Sequence, residues 1–438
     1  MLENHKLIKR EVLYIQVQFT SPLSVSSGEN EWTDSDVLRD ADGNPFVAGS
    51  SLAGAIRAYL GMRKNDNCFM GFSRRENNGK DHGKMSSLFI SDMIFEDESK
   101  SGIRDGVALD YNKTAMDGSK FDTEIIEALA KAHFYMELTI REEDNEEQMH
   151  HALAQIFYGI NQSEIRLGSK KTRGFGEFKV LSVKCKSYGK DNFLDYADAY
   201  IGDNWKDESE YLDQWLAYAQ VPCNMIHIDI PLRMKGGISI RCYAARKEEP
   251  DYVHLTDHGV PVIPGSSLAG ALRHRTKQIL EELKTAGATL PESIDEITDA
   301  AFGYVNETEA CSSNIIIGET EIKNARPLTI VRTGVSRFES AVKQGALYKE
   351  KTYVDGELKV QIMIRKGNNF ADERWILGLL LLAIRDLQNG FLAVGGQTAI
   401  GRGIFESNGP VTIDGEEGTE EKFIKKMLSN MAEKGVSR

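Results

Sequence analysis

The sequence contains few of the residues that build disulfide frameworks, zinc sites or membrane spans. Its five cysteines are spread over 438 residues without a Cys-x-x-Cys pair, which argues against a disulfide scaffold and against structural zinc. The longest apolar run, from Trp375 to Ile384, is too short to cross a bilayer. The opening residues MLENHKLIKR lack the apolar core of a signal peptide. We therefore expect a cytoplasmic protein with reduced thiols and no membrane partner.

The chain also lacks the positive charge that is typical of nucleic-acid-binding proteins. Its formal net charge is −13, which taken alone argues against such a partner. The acids are segregated, however: residues 191–215 hold eight acids and one lysine, and residues 414–421 hold five acids and no base. The rest of the chain can therefore still contain locally basic segments.

Two stretches of the chain carry the same seven residues. GSSLAGA runs from Gly49 to Ala55 and again from Gly265 to Ala271, and an apolar residue and an arginine follow each copy. Five more pairs of similar segments keep the same order: 40–48 with 256–264, 69–71 with 301–303, 86–95 with 312–322, 104–107 with 332–335, and 167–178 with 394–405. This order indicates two copies of one domain.

Each copy shows the same succession of strand and helix patterns. Apolar residues alternate in strands at 12–19, 134–140, 225–232 and 358–364. Helices are predicted at each GSSLAGA, capped by its serines, and at about 146–162 and 371–389. We expect hairpins at 124–132 and at 352–360, where Asp-Gly marks a turn. The pattern predicts an α+β fold of two tandem ferredoxin-like (RRM-like, β-α-β-β-α-β) domains.

The predicted organisation has four parts. A first domain covers 1–185 and a second covers 223–413, with an acidic aromatic linker at 186–222 and an acidic tail at 414–438. The tail contains a short amphipathic helix at 423–431, and the aromatic residues of the linker are expected to pack on another part of the protein.

The repeated GSSLAGA motif is a candidate phosphate-binding site. Small residues at a helix start let backbone amides approach an anion, and the helix dipole favours negative charge there. The RNA-binding candidates are Ser50, Ser51, Arg57, Ser266, Ser267 and Arg273. The alternative is a plain helix start whose small residues are kept by tight packing.

The glycine-rich loops at 167–178 and 394–405 are the second candidate. Glycines allow close backbone approach and cations neutralise phosphates, although neither loop is a P-loop. The candidate residues are Lys170, Lys171, Thr172, Arg173, Gln397, Thr398 and Arg402. An ordinary turn with solvated charges is the alternative, and it is stronger for the second copy, which lacks the lysines.

The loop at 30–43 holds four aspartates, including Asp34 and Asp36. Carboxylates beside phosphodiesters are unfavourable unless they bind a metal or take a proton. The alternative is a solvated acidic loop. The wider alternative is an acidic metal-binding enzyme unrelated to RNA, which would show no salt-dependent RNA affinity.

Taken together, these motifs resemble the RAMP superfamily of CRISPR systems, and most closely the backbone subunit of type III effector complexes. The resemblance implies a subunit that stacks along guide RNA (crRNA) beside other type III subunits and binds target RNA. It also implies a thumb hairpin in each copy, within 104–122 and 332–350, which splays nucleotides of the duplex. The thumb candidates are Arg104, Asp105, Thr114, Met116, Arg332 and Thr333.

The resemblance further implies metal-dependent cleavage of target RNA by a loop aspartate. The motif falls on Asp34, with Asp36 as an alternate, and Mg²⁺ or another divalent metal would be held transiently at Asp34. Counting back from Gly265 places Pro250 opposite Asp34 and leaves Asp251 one position off. We therefore predict that the first copy cleaves and the second holds RNA, with Asp251 able to substitute if the loop shifts.

Two related functions remain open at this stage. The chain could be a structural guide-RNA-binding subunit without nuclease activity, or a metal-independent endoribonuclease that processes guide RNA. The second function requires a histidine near a first helix, for which His274 is the candidate.

Overall fold

The computed structural model describes residues 6–26, 33–63, 69–75, 81–96, 99–110, 114–243, 250–290, 292–306, 308–366 and 374–436. Contacts divide the chain into two compact units: Met1–Lys171 with Phe175–Cys223, and Thr172–Gly174 with Asn224–Arg438. None of the helices in the described ranges is long and apolar enough to cross a membrane.

The first unit contains ten strands and three α-helices within those ranges. In chain order they are β1 (Leu7–Phe19), β2 (Phe46–Val47), α1 (Gly49–Met62), β3 (Phe72–Arg75), β4 (Asp81–Lys84), β5 (Leu88–Ile90), β6 (Met93–Phe95), β7 (Ser101–Leu109), β8 (Ala115–Ile126), β9 (Lys131–Arg141), α2 (Glu146–Asn161), β10 (Phe178–Tyr188) and α3 (Leu212–Ala219).

The central sheet of the first unit is antiparallel and has the strand order of a ferredoxin-like fold. β1 lies between β10 and β9, and β5 and β6 pair with the other edge of β9. Because side chains alternate along a strand, one face of β1 buries Leu13, Ile15 and Val17. Buried residues of α1 and α2 complete this core.

The second unit repeats this plan with a longer first helix. Its elements are β11 (Met225–Lys235), β12 (Gly237–Ile238), β13 (Arg241–Tyr243), β14 (Tyr252–His254), β15 (Thr256–Asp257), β16 (Val260–Ile263), α4 (Gly265–Thr285), α5 (Ile294–Phe302), β17 (Tyr304–Val305), β18 (Ala310–Cys311), β19 (Ile315–Ile317), β20 (Thr320–Glu321), β21 (Arg326–Val335), β22 (Val342–Val354), β23 (Glu357–Arg365), α6 (Arg374–Gln388), β24 (Ile404–Ser407), β25 (Thr412–Ile413), β26 (Glu416–Glu417) and α7 (Glu420–Val436).

The sheet of the second unit has the same order as that of the first. β11 lies between β23 on one side and β24 and β25 on the other, and β19 pairs with the far edge of β23. Residues of α4, α6 and α7 share one apolar core with this sheet. The prediction of an α+β fold with two tandem ferredoxin-like domains is confirmed.

A long antiparallel hairpin follows the first helix in each unit. It consists of β7 with β8 in the first unit and β21 with β22 in the second. The hairpin predicted at 124–132 is also observed, because β8 ends at Ile126 and β9 begins at Lys131 after a turn. Leu129 takes a positive φ of 66° within that turn.

The linker segment 186–222 packs on the first unit. Trp205 is 1% exposed, and its ring stacks on Tyr14 of β1 with 5.8 Å between the centroids. The hydroxyl of Tyr200 donates to Glu137 of β9 at 2.6 Å. The expectation that the aromatic residues of this segment pack on another part of the protein is therefore confirmed.

The predicted serine caps of α1 and α4 are wrong. The N-cap residues are Ala48 and Pro264, and neither makes a capping hydrogen bond with its own side chain. Each helix begins at the glycine of the motif, so the serines lie in its first turn. The helix starts early because the glycine itself must pack closely on the sheet.

Candidate nucleic-acid interface

The first glycine of each GSSLAGA motif allows close packing between the helix and the sheet. A β-carbon at Gly49 would lie 2.5 Å from the carbonyl oxygen of Ile90, and one at Gly265 would lie 2.1 Å from that of Ile317. The backbone N–H of Gly49 donates to the carboxylate of Asp92 at 2.7 Å. In the first copy, therefore, the protein itself supplies an anion to the first amide of the helix.

The residues after that glycine form a small-residue face on each helix. Its members are Ser50, Ser51 and Gly54 on α1, and Ser266, Ser267 and Gly270 on α4; all are exposed except Ser267, which is half-buried. Among the residues that the structure describes, a β-carbon at Gly54 or Gly270 would meet no atom within 4 Å. Glycine inside a helix lowers stability by about 1 kcal/mol relative to alanine. Because a β-carbon would fit here, close packing does not account for these two glycines. The face leaves room for a ligand to approach the helix closely.

The arginine after each motif binds the chain that follows the helix. The Arg57 guanidinium donates to the carbonyl oxygens of Gly71 at 2.9 Å and Met70 at 2.6 Å. Arg273 donates to the carbonyl of Gly303 at 2.8 Å and to the carboxylate of Asp299 at 2.5 Å. These bonds explain why the arginine and the Phe-Gly region echo together, and they give both arginines a structural role.

The glycine loops of the two copies share one backbone geometry. A β-carbon at Gly176 would lie 1.8 Å from the carbonyl oxygen of Leu167, and one at Gly403 would lie 1.8 Å from that of Val394. Both glycines have positive φ, 72° and 69°. Only glycine fits such a site, so this pair of echoed glycines is accounted for by local loop packing.

The polar residues of these loops differ in exposure. Lys171 and Arg173 are exposed, while Thr172 and Thr398 are half-buried and Arg402 is 6% exposed. The Lys170 ammonium donates to the hydroxyl of Thr123 at 2.8 Å and lies 4.7 Å from the ring centroid of Phe121. Lys170 therefore holds the loop against β8.

Asp34 is paired with a residue that the sequence motif did not indicate. The N–H of Asp122 donates to Oδ2 of Asp34 at 2.9 Å, and the N–H of Asp34 donates to Oδ1 of Asp122 at 3.1 Å. Asp34 is exposed. Oδ1 of Asp34 and Oδ2 of Asp122, at the base of the first hairpin, take no part in these two hydrogen bonds. Two hard carboxylate oxygens are ligands that suit Mg²⁺.

Asp36, the alternate candidate, has a different environment. It is 6% exposed, and the hydroxyl of Thr33 donates to its carboxylate at 2.5 Å. The next residue, Val37, donates its N–H to Glu124 of β8 at 2.9 Å. Asp36 therefore helps to shape the loop from inside, whereas Asp34 faces solvent.

Asp251 is the structural counterpart of Asp34. The N–H of Lys349 on β22 donates to Oδ2 of Asp251 at 2.8 Å, which is the bond that Asp122 of β8 makes to Asp34. The match to Pro250 obtained by counting back from Gly265 is wrong. Residues 40–44 separate the paired residues Arg39 and Pro45 in the first copy, whereas residues 257–260 separate Thr256 and Pro261 in the second. The second segment is therefore one residue shorter.

The thumb candidates of the first hairpin lie in different environments. Arg104 is 7% exposed and stands opposite Thr123, so it faces the body of the unit. The other three candidates are exposed: Asp105, which lies 3.6 Å from the ammonium of Lys120, Thr114 and Met116.

In the second hairpin, Arg332 is half-buried and donates to Gln397 at 3.4 Å, whereas Thr333 is exposed. Arg332 stands opposite Tyr348. Arg104 instead stands opposite Thr123, and the counterpart of Thr123 in the second unit is Glu350. Glu350 lies two residues after Tyr348 along β22. The Arg-x-Gly-Val echo is therefore two positions out of register between the hairpins.

Glu350 is the centre of a polar cluster that sequence reasoning missed. It is 1% exposed, and the Ser239 hydroxyl and the Gln397 amide donate to it at 2.5 and 2.8 Å. Burial by itself would raise its pKa, but these hydrogen bonds and the nearby guanidinium groups of Arg402 and Arg241 outweigh burial and hold the pKa below its usual value. No local pattern marks Glu350 in the sequence, since its partners come from distant segments.

One further group of metal-ligand type lies away from these loops. Ligand atoms of Glu11, Glu146 and His150 lie within 4.8 Å of one another. The Lys9 ammonium is 2.8 Å from Glu11 and 2.5 Å from Glu146. A lysine therefore already supplies the positive charge, and this group does not fit a metal ion.

The sequence profile of the RAMP superfamily matches residues 16–179 and 227–406 of the chain. The two matched regions fall on the two ferredoxin-like domains. No individual curated protein matches the chain at a significant level.

Proposed function

The chain belongs to the RAMP superfamily in both of its halves, and we propose that it is a fused double backbone subunit of a type III CRISPR ribonucleoprotein. Membership of this family indicates a CRISPR-associated RNA-binding subunit. The proposal adds that the chain binds guide RNA together with other type III subunits and cleaves target RNA in its first copy. The reciprocal pair of Asp34 and Asp122 is the observation that carries the cleavage part.

The small-residue faces support the RNA-binding part. Each face is open to solvent, repeats in both copies and contains a helical glycine with no packing partner within 4 Å in the described part of the chain. A sugar-phosphate backbone could approach such a face closely, with serine hydroxyls as hydrogen-bond donors. The exposed Lys171 and Arg173 would add sequence-independent attraction to phosphates.

The cleavage chemistry follows from where Asp34 lies. An RNA strand passing the base of the first hairpin would present a ribose 2′-OH to its carboxylate. Asp34 takes the 2′-OH proton, the 2′-oxygen attacks the adjacent phosphorus, and the bond from phosphorus to the 5′-oxygen breaks. The 5′-oxygen takes a proton from solvent water, which gives a 2′,3′-cyclic phosphate and a free 5′-hydroxyl. Asp34 and Asp122 would hold a divalent metal, which supplies charge stabilisation at the phosphate.

The second copy differs at the position that matters. Asp251 has the place of Asp34, but Lys349 has the place of Asp122. A lysine there removes one carboxylate ligand and adds a positive charge, so a divalent cation is bound less well. This difference supports a second copy that holds RNA without cleaving it.

The test uses the chain assembled with guide RNA and an end-labelled complementary target. We expect Asp34→Ala to abolish the cut assigned to the first copy with RNA binding retained, and Asp122→Asn to slow it by about 10- to 100-fold if both carboxylates act on the metal. Asp251→Ala is the matched control and should leave the fragment pattern unchanged.

Two outcomes would contradict this reading. Unchanged fragments with Asp34→Ala would favour the structural subunit without nuclease activity. Cleavage of guide precursor that persists in EDTA would favour the processing enzyme; His274 is half-buried and hydrogen-bonded to Gln278 at 3.1 Å, an arrangement that does not favour that alternative.

A further inference from the structure

Three arginines from distant parts of the second unit converge on one buried carboxylate. Arg241 begins β13, Arg332 lies in β21 and Arg402 lies in the glycine loop. Nε of Arg241 is 3.7 Å and Nη1 of Arg402 is 3.8 Å from Glu350. Arg332 donates to Gln397, which itself donates to Glu350. Three guanidinium groups and one carboxylate leave two positive charges in excess.

The cluster is incompletely satisfied by the protein. Arg402 is 6% exposed, yet its buried Nη1 has no hydrogen-bond partner within the described residues. A buried charged donor without a partner is unfavourable. Burial lowers the pKa of Arg402, and the positive charges of Arg332 and Arg241 lower it further. The attraction of Glu350 raises it, but the pKa stays below its usual value. An additional anion would relieve both the missing hydrogen bond and the repulsion.

The cluster adjoins the strand position of Asp251. Tyr252, the next residue, stands opposite Glu350 in the sheet, and the Arg241 guanidinium lies 4.4 Å from the ring centroid of Tyr252. Arg241 has 41% of its side chain exposed. The cluster is therefore open to solvent through Arg241 on the hairpin side of the unit.

The first copy has no such cluster at the corresponding positions. Asp122 and Lys349 make the same bond to Asp34 and Asp251, so Thr123 is the counterpart of Glu350. Alignment of the two glycine loops makes Lys170 the counterpart of Gln397 and Phe175 that of Arg402. Lys170 lies between the rings of Phe121 and Phe175, at 4.7 and 5.9 Å from their centroids. The first copy therefore has Lys170, shielded by aromatic rings, and the buried Arg104 opposite Thr123, whereas the second copy has three arginines around a carboxylate.

We propose that Arg241, Arg332 and Arg402 form a phosphodiester-binding site specific to the second copy, which fixes one backbone phosphate of a bound RNA strand. The inference rests on the proposed function and deepens it, because it gives the second copy a defined holding role. Guanidinium groups suit this ligand, since their planar donors bind phosphate oxygens in pairs. Glu350 keeps the arginines in place until the phosphate is bound.

The experiment measures binding of a labelled single-stranded RNA to the full chain over a range of salt concentrations. Arg241→Gln and Arg402→Gln should each weaken binding by about tenfold, and Arg241→Gln should lower the slope of log affinity against log salt by about 0.7 for the lost phosphate contact. Arg233→Gln is the matched control: Arg233 is an exposed arginine of the same unit, bonded to Asn408 and Glu357, and its loss should leave affinity and slope unchanged.

Glu350→Gln provides a test in the opposite direction. It removes the one carboxylate and raises the excess charge, so RNA affinity should increase severalfold at low salt even if the thermal midpoint falls. A structural ion pair would give only the loss of stability. Arg241→Gln concerns a partly exposed side chain, so it remains informative should either buried substitution prevent folding.

The possible failures can be told apart. If the wild-type chain binds RNA and Arg241→Gln behaves like Arg233→Gln, the phosphate site is refuted and the proposed function stands. If inorganic phosphate protects the wild-type chain against thermal unfolding but RNA does not bind, the ligand is a free phosphate and the RNA assignment is overturned. If neither binds, the proposed function and this inference fail together.

Discussion

The helical glycines of the small-residue faces allow folding and RNA binding to be separated by one substitution. At Gly54 and Gly270, no atom of the described ranges lies within 4 Å of the position that a β-carbon would take. Alanine should therefore fit without strain, and each substitution should stabilise its unit by about 0.8–1 kcal/mol through helix propensity. For units of this size, that corresponds to a rise in thermal midpoint of about 2–4 °C.

A larger side chain at Gly54 should lower RNA affinity without lowering stability. Gly54→Leu keeps a good helix former on an exposed face, so stability should be retained, but the side chain fills the space that a sugar-phosphate backbone would use. We expect RNA affinity to fall by about tenfold or more, or about 1.4 kcal/mol. Calorimetry and fluorescence anisotropy on the same samples measure the two effects.

Gly49 is the control for this reasoning. A β-carbon there would lie 2.5 Å from the carbonyl oxygen of Ile90, so Gly49→Ala should lower stability, in contrast to Gly54→Ala. A destabilised Gly54→Ala variant would mean that the face is packed rather than open. Unchanged RNA affinity of Gly54→Leu would refute the idea that the glycine serves backbone approach.

Two further predictions concern buried groups. Burial lowers the pKa of His254 from 6.5 to about 4, so between these pH values the unfolded chain binds more protons than the native one. The free energy of unfolding should therefore rise with pH from about 4 to 6.5, by roughly 3 kcal/mol at most. His254→Gln should flatten this pH dependence in denaturant titrations, and an unchanged profile would contradict the prediction. Trp205→Ala should lower the free energy of unfolding by about 3–5 kcal/mol, because the ring is 1% exposed and stacks on Tyr14. A decrease below about 1 kcal/mol in the same titrations would mean that the linker is not part of the core.

The strands, helices and hairpins were largely predictable because their signals are local. The alternation that places Leu13, Ile15 and Val17 in the core can be read from one short segment, and the Asp-Gly turn marks its hairpin in the same way. The helix starts were predicted one residue late. Their position depends on contact between Gly49 and the carbonyl of Ile90, which a local capping rule does not contain.

The candidate site was predictable only in part. Asp34 and the serines could be named because each lies in a short motif. The structural bonds of Arg57 were missed, since they depend on a distant turn. Asp251 was named but placed one position off, because the corresponding turn is one residue shorter in the second copy. Equal spacing along a chain aligns two copies only up to the first difference in loop length.

The amino-acid sequence by itself determined that one domain occurs twice, because repeated residues, side-chain periodicity and turn glycines are properties of neighbouring positions. The tertiary structure alone decided which charges meet. Asp34 stands beside an aspartate and Asp251 beside a lysine, and Arg241, Arg332 and Arg402 gather around Glu350. Strand pairing and loop closure bring these groups together from segments far apart in the chain, and electrostatic interaction depends on distance in space.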